Sequence, residues 1–121
     1  MLDHVMLNVR DVGRSRGFYE RALRPLGYSV ADEWERGAGF GTGEGGPDLW
    51  IAQRGEVSAP VHVALRAVDR EAVDAFHRAA LEAGGEDNGP PGLRPHYHER
   101  YYGAFALDPD GNNIEAVFHG A

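Results

Sequence analysis

The chain has 121 residues, enough for one domain with a real core, and 42% of them are hydrophobic. Nineteen acids against twelve bases give a net charge of −7, which disfavours nucleic acid and anionic membrane surfaces as partners. There is no cysteine, so disulfides and thiolate metal sites are excluded, and no run approaches the ~20 apolar residues of a membrane span. The opening Met1-Leu2-Asp3-His4 lacks the basic and apolar regions of a secretory signal, so a cytoplasmic protein is expected.

In chain order, His4-Val5-Met6-Leu7-Asn8-Val9 alternates as a strand with one apolar face. Asp11 is a helix N-cap by type, and the helix it opens turns Phe18, Ala22 and Leu26 inward before Pro25-Leu26-Gly27 ends it. Gly39-Phe40-Gly41 and Asp48-Leu49-Trp50-Ile51 read as strands across the loose turn Gly43-Glu44-Gly45-Gly46-Pro47. After a short junction, Ser58-Ala59-Pro60, the pattern starts again. His62-Val63-Ala64-Leu65 repeats the His-Val-x-Leu of residues 4–7 at an offset of 58, and Asp69 repeats Asp11 at the same offset. Phe18, Ala22, Leu23 and Gly27 then meet Phe76, Ala80, Leu81 and Gly85. Val73, Phe76, Ala80 and Leu81 share one face of the second helix, which Gly84-Gly85 stops.

At the rear of each copy Trp50 aligns with Glu115 at an offset of 65, so the second copy has gained seven residues. The extra material falls within Asn88–His98, which is too rich in proline and glycine to be helical. Asp108-Pro109-Asp110-Gly111-Asn112 is a strong hairpin turn between alternating runs. Each copy reads as strand, helix, then about three strands. The copies span residues 1–57 and 60–119 and should pack as a single α+β domain over 1–121, the junction being too short for a flexible linker.

The duplicated frame singles out four positions. The first strands carry His4 and His62, and the last strands carry Trp50 and Glu115. If the copies pack about a pseudo-twofold axis, these four points converge on one cleft. Two imidazoles and one carboxylate with open positions suit non-haem Fe2+, and the same set holds Zn2+ or Mn2+. Taken singly, each is more often a solvated surface residue than a ligand; their equivalent places in a repeat are what join them. Period two puts Glu115 and Val117 on one face and Ile114, Ala116 and Phe118 on the other. A carboxylate in so apolar a strand needs a partner or a wet cleft.

The segment Pro95-His96-Tyr97-His98-Glu99-Arg100-Tyr101-Tyr102 is the second concentration of chemistry. His96, His98 and Tyr102 are candidate acid–base or hydrogen-bonding groups, with Tyr102 expected to point inward and Tyr101 to line the pocket. The alternatives are a loop whose tyrosines cover the sheet edge, or a second metal pair formed by His96 and His98. His77 and His119 are expected at the surface. Trp50 with Phe40 is most simply a wall of the cleft, favouring a flat or apolar ligand.

Three stretches carry a resemblance: Asp3-His4-Val5-Met6-Leu7-Asn8-Val9-Arg10-Asp11 with Phe18-Tyr19, His62-Val63-Ala64-Leu65, and Asp108-Pro109-Asp110-Gly111-Asn112-Asn113-Ile114-Glu115. With them the chain resembles the vicinal oxygen chelate superfamily of glyoxalases, extradiol dioxygenases, and fosfomycin- and bleomycin-resistance proteins. The resemblance implies two tandem βαβββ modules forming a cupped mixed β-sheet. It implies a divalent metal (Fe2+, Zn2+, Ni2+ or Mn2+) on His4, His62 and Glu115, and a homodimer in which the triad forms within one chain or across two. It implies a small-molecule substrate, and Met6, Asn8, Phe40, Trp50 and Tyr101 are the residues expected to line its pocket. The chain departs from glyoxalase I at Trp50, where that enzyme has a fourth ligand, and at Asn8, where it has an arginine. It departs from the fosfomycin-resistance proteins at Met6, where they carry a threonine. The three-ligand set matches dioxygenases slightly better than glyoxalase-type lyases or isomerases. A metal-free small-molecule binding protein is the third reading.

Overall fold

The computed structural model describes residues 1–57 and 60–120. Most of the expected junction, Ser58 and Ala59, lies outside the described residues. The elements run β1 (Val5–Asn8), α1 (Val12–Ala22), a single turn of 3-10 helix (Arg24–Leu26), β2 (Ser29–Trp34), β3 (Gly37–Gly41) and β4 (Leu49–Ala52). The second half repeats them as β5 (His62–Arg66), α2 (Arg70–Glu82), β6 (Glu86–Leu93), β7 (Tyr102–Leu107) and β8 (Asn113–Phe118). Each half forms its own four-stranded mixed sheet, ordered β1-β4-β3-β2 and β5-β8-β7-β6. In each, the first strand pairs parallel with the last, and the remaining pairs are antiparallel. The fold is α+β, two βαβββ modules, as the repeat predicts. No helix among the described residues is long and apolar enough to cross a membrane.

The helix starts follow from their caps. Asp11 accepts the backbone N–H of Arg14, and Asp69 that of Ala72. Each helix lies on one face of its own sheet, and the two helices also pack on one another. Phe18, Phe40, Leu49, Ile51, Phe76 and Ile114 are each 1% exposed or less. Burying side chains of this size stabilises the fold by roughly 1.5–3 kcal/mol apiece. Leu81, expected in the core, is instead 38% exposed at the end of α2.

Polar contacts join the halves. Asp108 accepts hydrogen bonds from the Tyr19 hydroxyl and from the Asn112 side chain, while Asp110 pairs with Arg10 at 3.0 Å. The Tyr19 hydroxyl is held well above its usual pKa by burial, and then by the Asp108 carboxylate. His77, expected at the surface, is buried on α2 and meets Asp87 of β6 at 2.9 Å. An imidazole next to Phe76 in the helix can be buried because that carboxylate satisfies its Nε2.

Candidate functional site

Strand pairing decides which side chains share a face. In the second sheet Ala64 and Phe105 are the register partners of Glu115, so Glu115, Phe105 and His62 point away from α2. Ile114 and Ala116 point towards it and are fully buried. Glu115 is itself only 1% exposed. Both of its oxygens are engaged: His62 Nε2 lies 2.7 Å from Oε1, and the Tyr101 hydroxyl donates to Oε2. Gly103 makes this possible, since a Cβ there would come within 3.2 Å of both Glu115 Oε2 and the Tyr101 ring. Burial first, and then the Glu115 carboxylate, push the Tyr101 hydroxyl well above its usual pKa, so it stays a proton donor at neutral pH. The His62 ring packs against Phe105 with centroids 5.9 Å apart.

The corresponding face of the first sheet is built differently. Met6 pairs with Trp50 and Asn8 with Ala52, and the side chain of Trp50 lies over Gly39. Trp34 lies over Gly37, and the two indole centroids are 6.0 Å apart. Met6, Asn8 and Trp50 are half-buried on this open face. Phe40 is not with them. Its register partner is Leu49, so it points to the other face, where it is fully buried and packs against Tyr19. It is core rather than cleft wall.

His4 precedes β1, is exposed, and has Nδ1 2.6 Å from Asp3. Among the described residues no three His, Asp or Glu side chains come together as a metal-ligand group. The chain therefore brings His62 and Glu115 together but does not add His4 to them. Tyr102 also stands apart: its hydroxyl donates to Asp74 of α2 at 2.7 Å and its ring carries the Arg70 guanidinium, on the helix side of the sheet. The inward tyrosine is Tyr101. His98 packs edge-on to the Tyr101 ring, and its Nε2 is 3.0 Å from His119 Nδ1. His96 is exposed and packs on Tyr97 rather than on His98.

Sequence reasoning missed Trp34, His119 and Arg94 as members of these surfaces. Trp34 had a usable signal, because it and Trp50 are the chain's only tryptophans and both sit opposite glycines. His119 had none, since His98 and Tyr101 are distant from it in sequence, and Arg94 had none, since its place over Phe105 follows from how the gained segment folds.

Fold and site together define a paired-module α+β protein with an open sheet face carrying a buried carboxylate, an imidazole and a tyrosine. A family model for the Glyoxalase/Bleomycin resistance protein/Dioxygenase superfamily matches residues 1–116, and the chain belongs to that superfamily. Among solved structures it is similar to a glyoxalase/bleomycin resistance protein from Albidiferax ferrireducens T118, at 29% identity over 95% of both chains with a TM-score of 0.80. A putative glyoxalase from Bacillus halodurans is 25% identical over 98% of this chain and 95% of its own, with a TM-score of 0.70. A glyoxalase/bleomycin resistance protein/dioxygenase family enzyme from Burkholderia phytofirmans PsJN shares the fold at 21% identity, covering 96% of each chain with a TM-score of 0.75. No match was found among curated proteins.

Proposed function

We propose that the protein is a divalent-metal-dependent enzyme that binds adjacent oxygens of a small molecule on this sheet face. The observation carrying the proposal is Glu115, a carboxylate 1% exposed in an apolar strand, facing His62 Nε2 at 2.7 Å. The donor set fits a metal. An imidazole nitrogen and a carboxylate oxygen at this separation can occupy neighbouring coordination positions. His62 and Glu115 of one copy would hold Fe2+, Zn2+, Ni2+ or Mn2+, with His4 supplied by a second copy in a homodimer. The metal, when bound, supplies Lewis acidity to the chelated oxygens.

The chain's own residues do the rest. Tyr101 fixes Oε2 of Glu115 by donating to it, which leaves Oε1 directed towards His62. Phe105 backs the His62 ring and keeps water from one side of it. Met6, Asn8 and Trp50 form the apolar and amide-bearing wall of the first module. Trp50 stands where the second module has Glu115, so three protein ligands remain, and two imidazoles with one carboxylate favour oxygenase chemistry narrowly over a lyase or isomerase. His98 is the acid–base candidate that stands beside the site, one ring away from Glu115 through Tyr101. The competing reading, a metal-free binding protein, draws on the pairing of exposed Trp34 with half-buried Trp50.

Metal analysis after loading and desalting tests the proposal. Wild type should retain about one ion per chain, and His4→Ala, His62→Ala and Glu115→Ala should each lose most of it. His96→Ala should retain it. Unchanged metal content in all three ligand variants would remove the basis of the enzyme reading.

A further inference from the structure

The segment gained by the second module brings a cation to the face that carries His62 and Glu115. Arg94 is half-buried just after β6, its backbone fixed by hydrogen bonds from Arg94 N to Tyr101 O at 2.8 Å and from Tyr97 N to Arg94 O at 2.9 Å. Its guanidinium carbon lies 5.4 Å from the centroid of the Phe105 ring. Phe105 is the register partner of Glu115 and the ring against which His62 packs. The guanidinium therefore shares its aromatic platform with the candidate ligand.

Two glycines make room for it. A Cβ on Gly89 would come within 3.2 Å of Nη2, and one on Gly92 within 3.2 Å of Nη1. Gly89 also has a φ of 150°, which side-chain-bearing residues rarely adopt. One hydrogen bond, from Nη2 to the Pro90 carbonyl at 2.7 Å, holds the group in place. Guanidinium has five N–H donors, so most of them remain free. Among the described residues only Arg10 and Arg16 have carboxylate partners, so Arg94 shares the lack of one with nine other arginines, and what sets it apart is its seat on Phe105 between two glycines. A flat cation seated on the ring that backs His62, with unused donors, has the geometry to take up a planar anion on this face.

We propose that Arg94 receives a carboxylate of the small molecule that occupies this face, so that the substrate is an acid carrying adjacent oxygens. The adjacent oxygens rest on the chelation reading above; the carboxylate rests on Arg94 alone. The test is calorimetric titration of metal-free and metal-loaded protein with benzoate, benzamide, catechol and 3,4-dihydroxybenzoate. On wild type, benzoate should bind at least about tenfold more tightly than its neutral isostere benzamide, and 3,4-dihydroxybenzoate more tightly than catechol. Arg94→Gln should weaken both carboxylates about tenfold and leave catechol within twofold, and Arg94→Lys should fall between, since it keeps the charge without the planar fork. Equal binding of benzoate and benzamide to wild type, or carboxylate affinities unmoved in a folded Arg94→Gln protein, would overturn the assignment. If catechol binding proves independent of metal while benzoate still requires Arg94, the chelation reading falls and the carboxylate site stands.

Discussion

Glu115 shows how one residue constrains its neighbours. A carboxyl group buried in an apolar strand is tolerated only when its oxygens are hydrogen-bonded, and here His62 and Tyr101 each take one. Tyr101→Phe removes the donor to Oε2 above Gly103, where there is little room for a replacement. Leaving that oxygen unpaired should cost about 1–2 kcal/mol, read as a lower urea midpoint with an unchanged slope. The same variant should weaken metal retention, because the carboxylate loses the contact that orients it. Tyr102→Phe is the contrasting control: its hydroxyl reaches only Asp74 on the helix side, so metal retention should be unaffected. If Tyr102→Phe released metal and Tyr101→Phe did not, the assignment of the inward tyrosine would be reversed. Two adjacent tyrosines are visible in the sequence, but the choice between them depends on phase. Tyr101 has the same parity as Phe105, and Phe105 is opposite Glu115 only once the hairpin register is known.

At the scale of elements, the same limit explains what was legible in β3. Gly37-Ala38-Gly39-Phe40-Gly41 displays period two openly, yet the sequence does not say which face is core. Pairing decides: Phe40 meets Leu49 and turns to α1, whereas Gly39 meets Trp50 and turns to the open face. Phe40 therefore could not be separated from Trp50 by composition, and it belongs to the core. The caps at Asp11 and Asp69, by contrast, act within one helical turn and were readable directly. The gained segment was readable only as non-helical. Most of it becomes β6, a strand that tolerates Pro90 and Pro91 because it sits at a sheet edge with register shifts on either side of Gly89. The glycines of β3 carry a test of their own. A Cβ on Gly39 would stand 2.7 Å from the Trp50 ring, so Gly39→Ala must displace that indole. The expected cost is about 1–3 kcal/mol in stability. Because Trp34 and Trp50 are the only tryptophans, the emission spectrum reports this surface directly. An unchanged spectrum together with unchanged stability would mean that the indole does not rest on the glycine floor.

For the molecule as a whole, the repeat at an offset of 58 residues foretold two modules, and each module proves to own a complete four-stranded sheet and a helix. What the repeat could not foretell is how the halves meet. The Asp-Pro-Asp-Gly segment reads as a hairpin turn, but it is also a joint, with Asp108 on Tyr19 and Asp110 on Arg10 of the other module. Among the described residues His4 does not join the group formed by His62 and Glu115. A three-ligand centre built from these residues then needs His4 from a second copy, and that division can be tested by mixing subunits. In a twofold dimer, His4→Ala and Glu115→Ala homodimers each lack one ligand at both sites. A mixed dimer concentrates both lesions at one site and leaves the other wild type. Random reassortment of the two should therefore restore about a quarter of the wild-type metal content. His62→Ala mixed with Glu115→Ala should restore none, because both residues belong to the same half-site and every site keeps one lesion. Recovery in the first mixture but not the second would place the centre between chains. No recovery in either, with both variants dimeric and exchanging, would refute a shared centre.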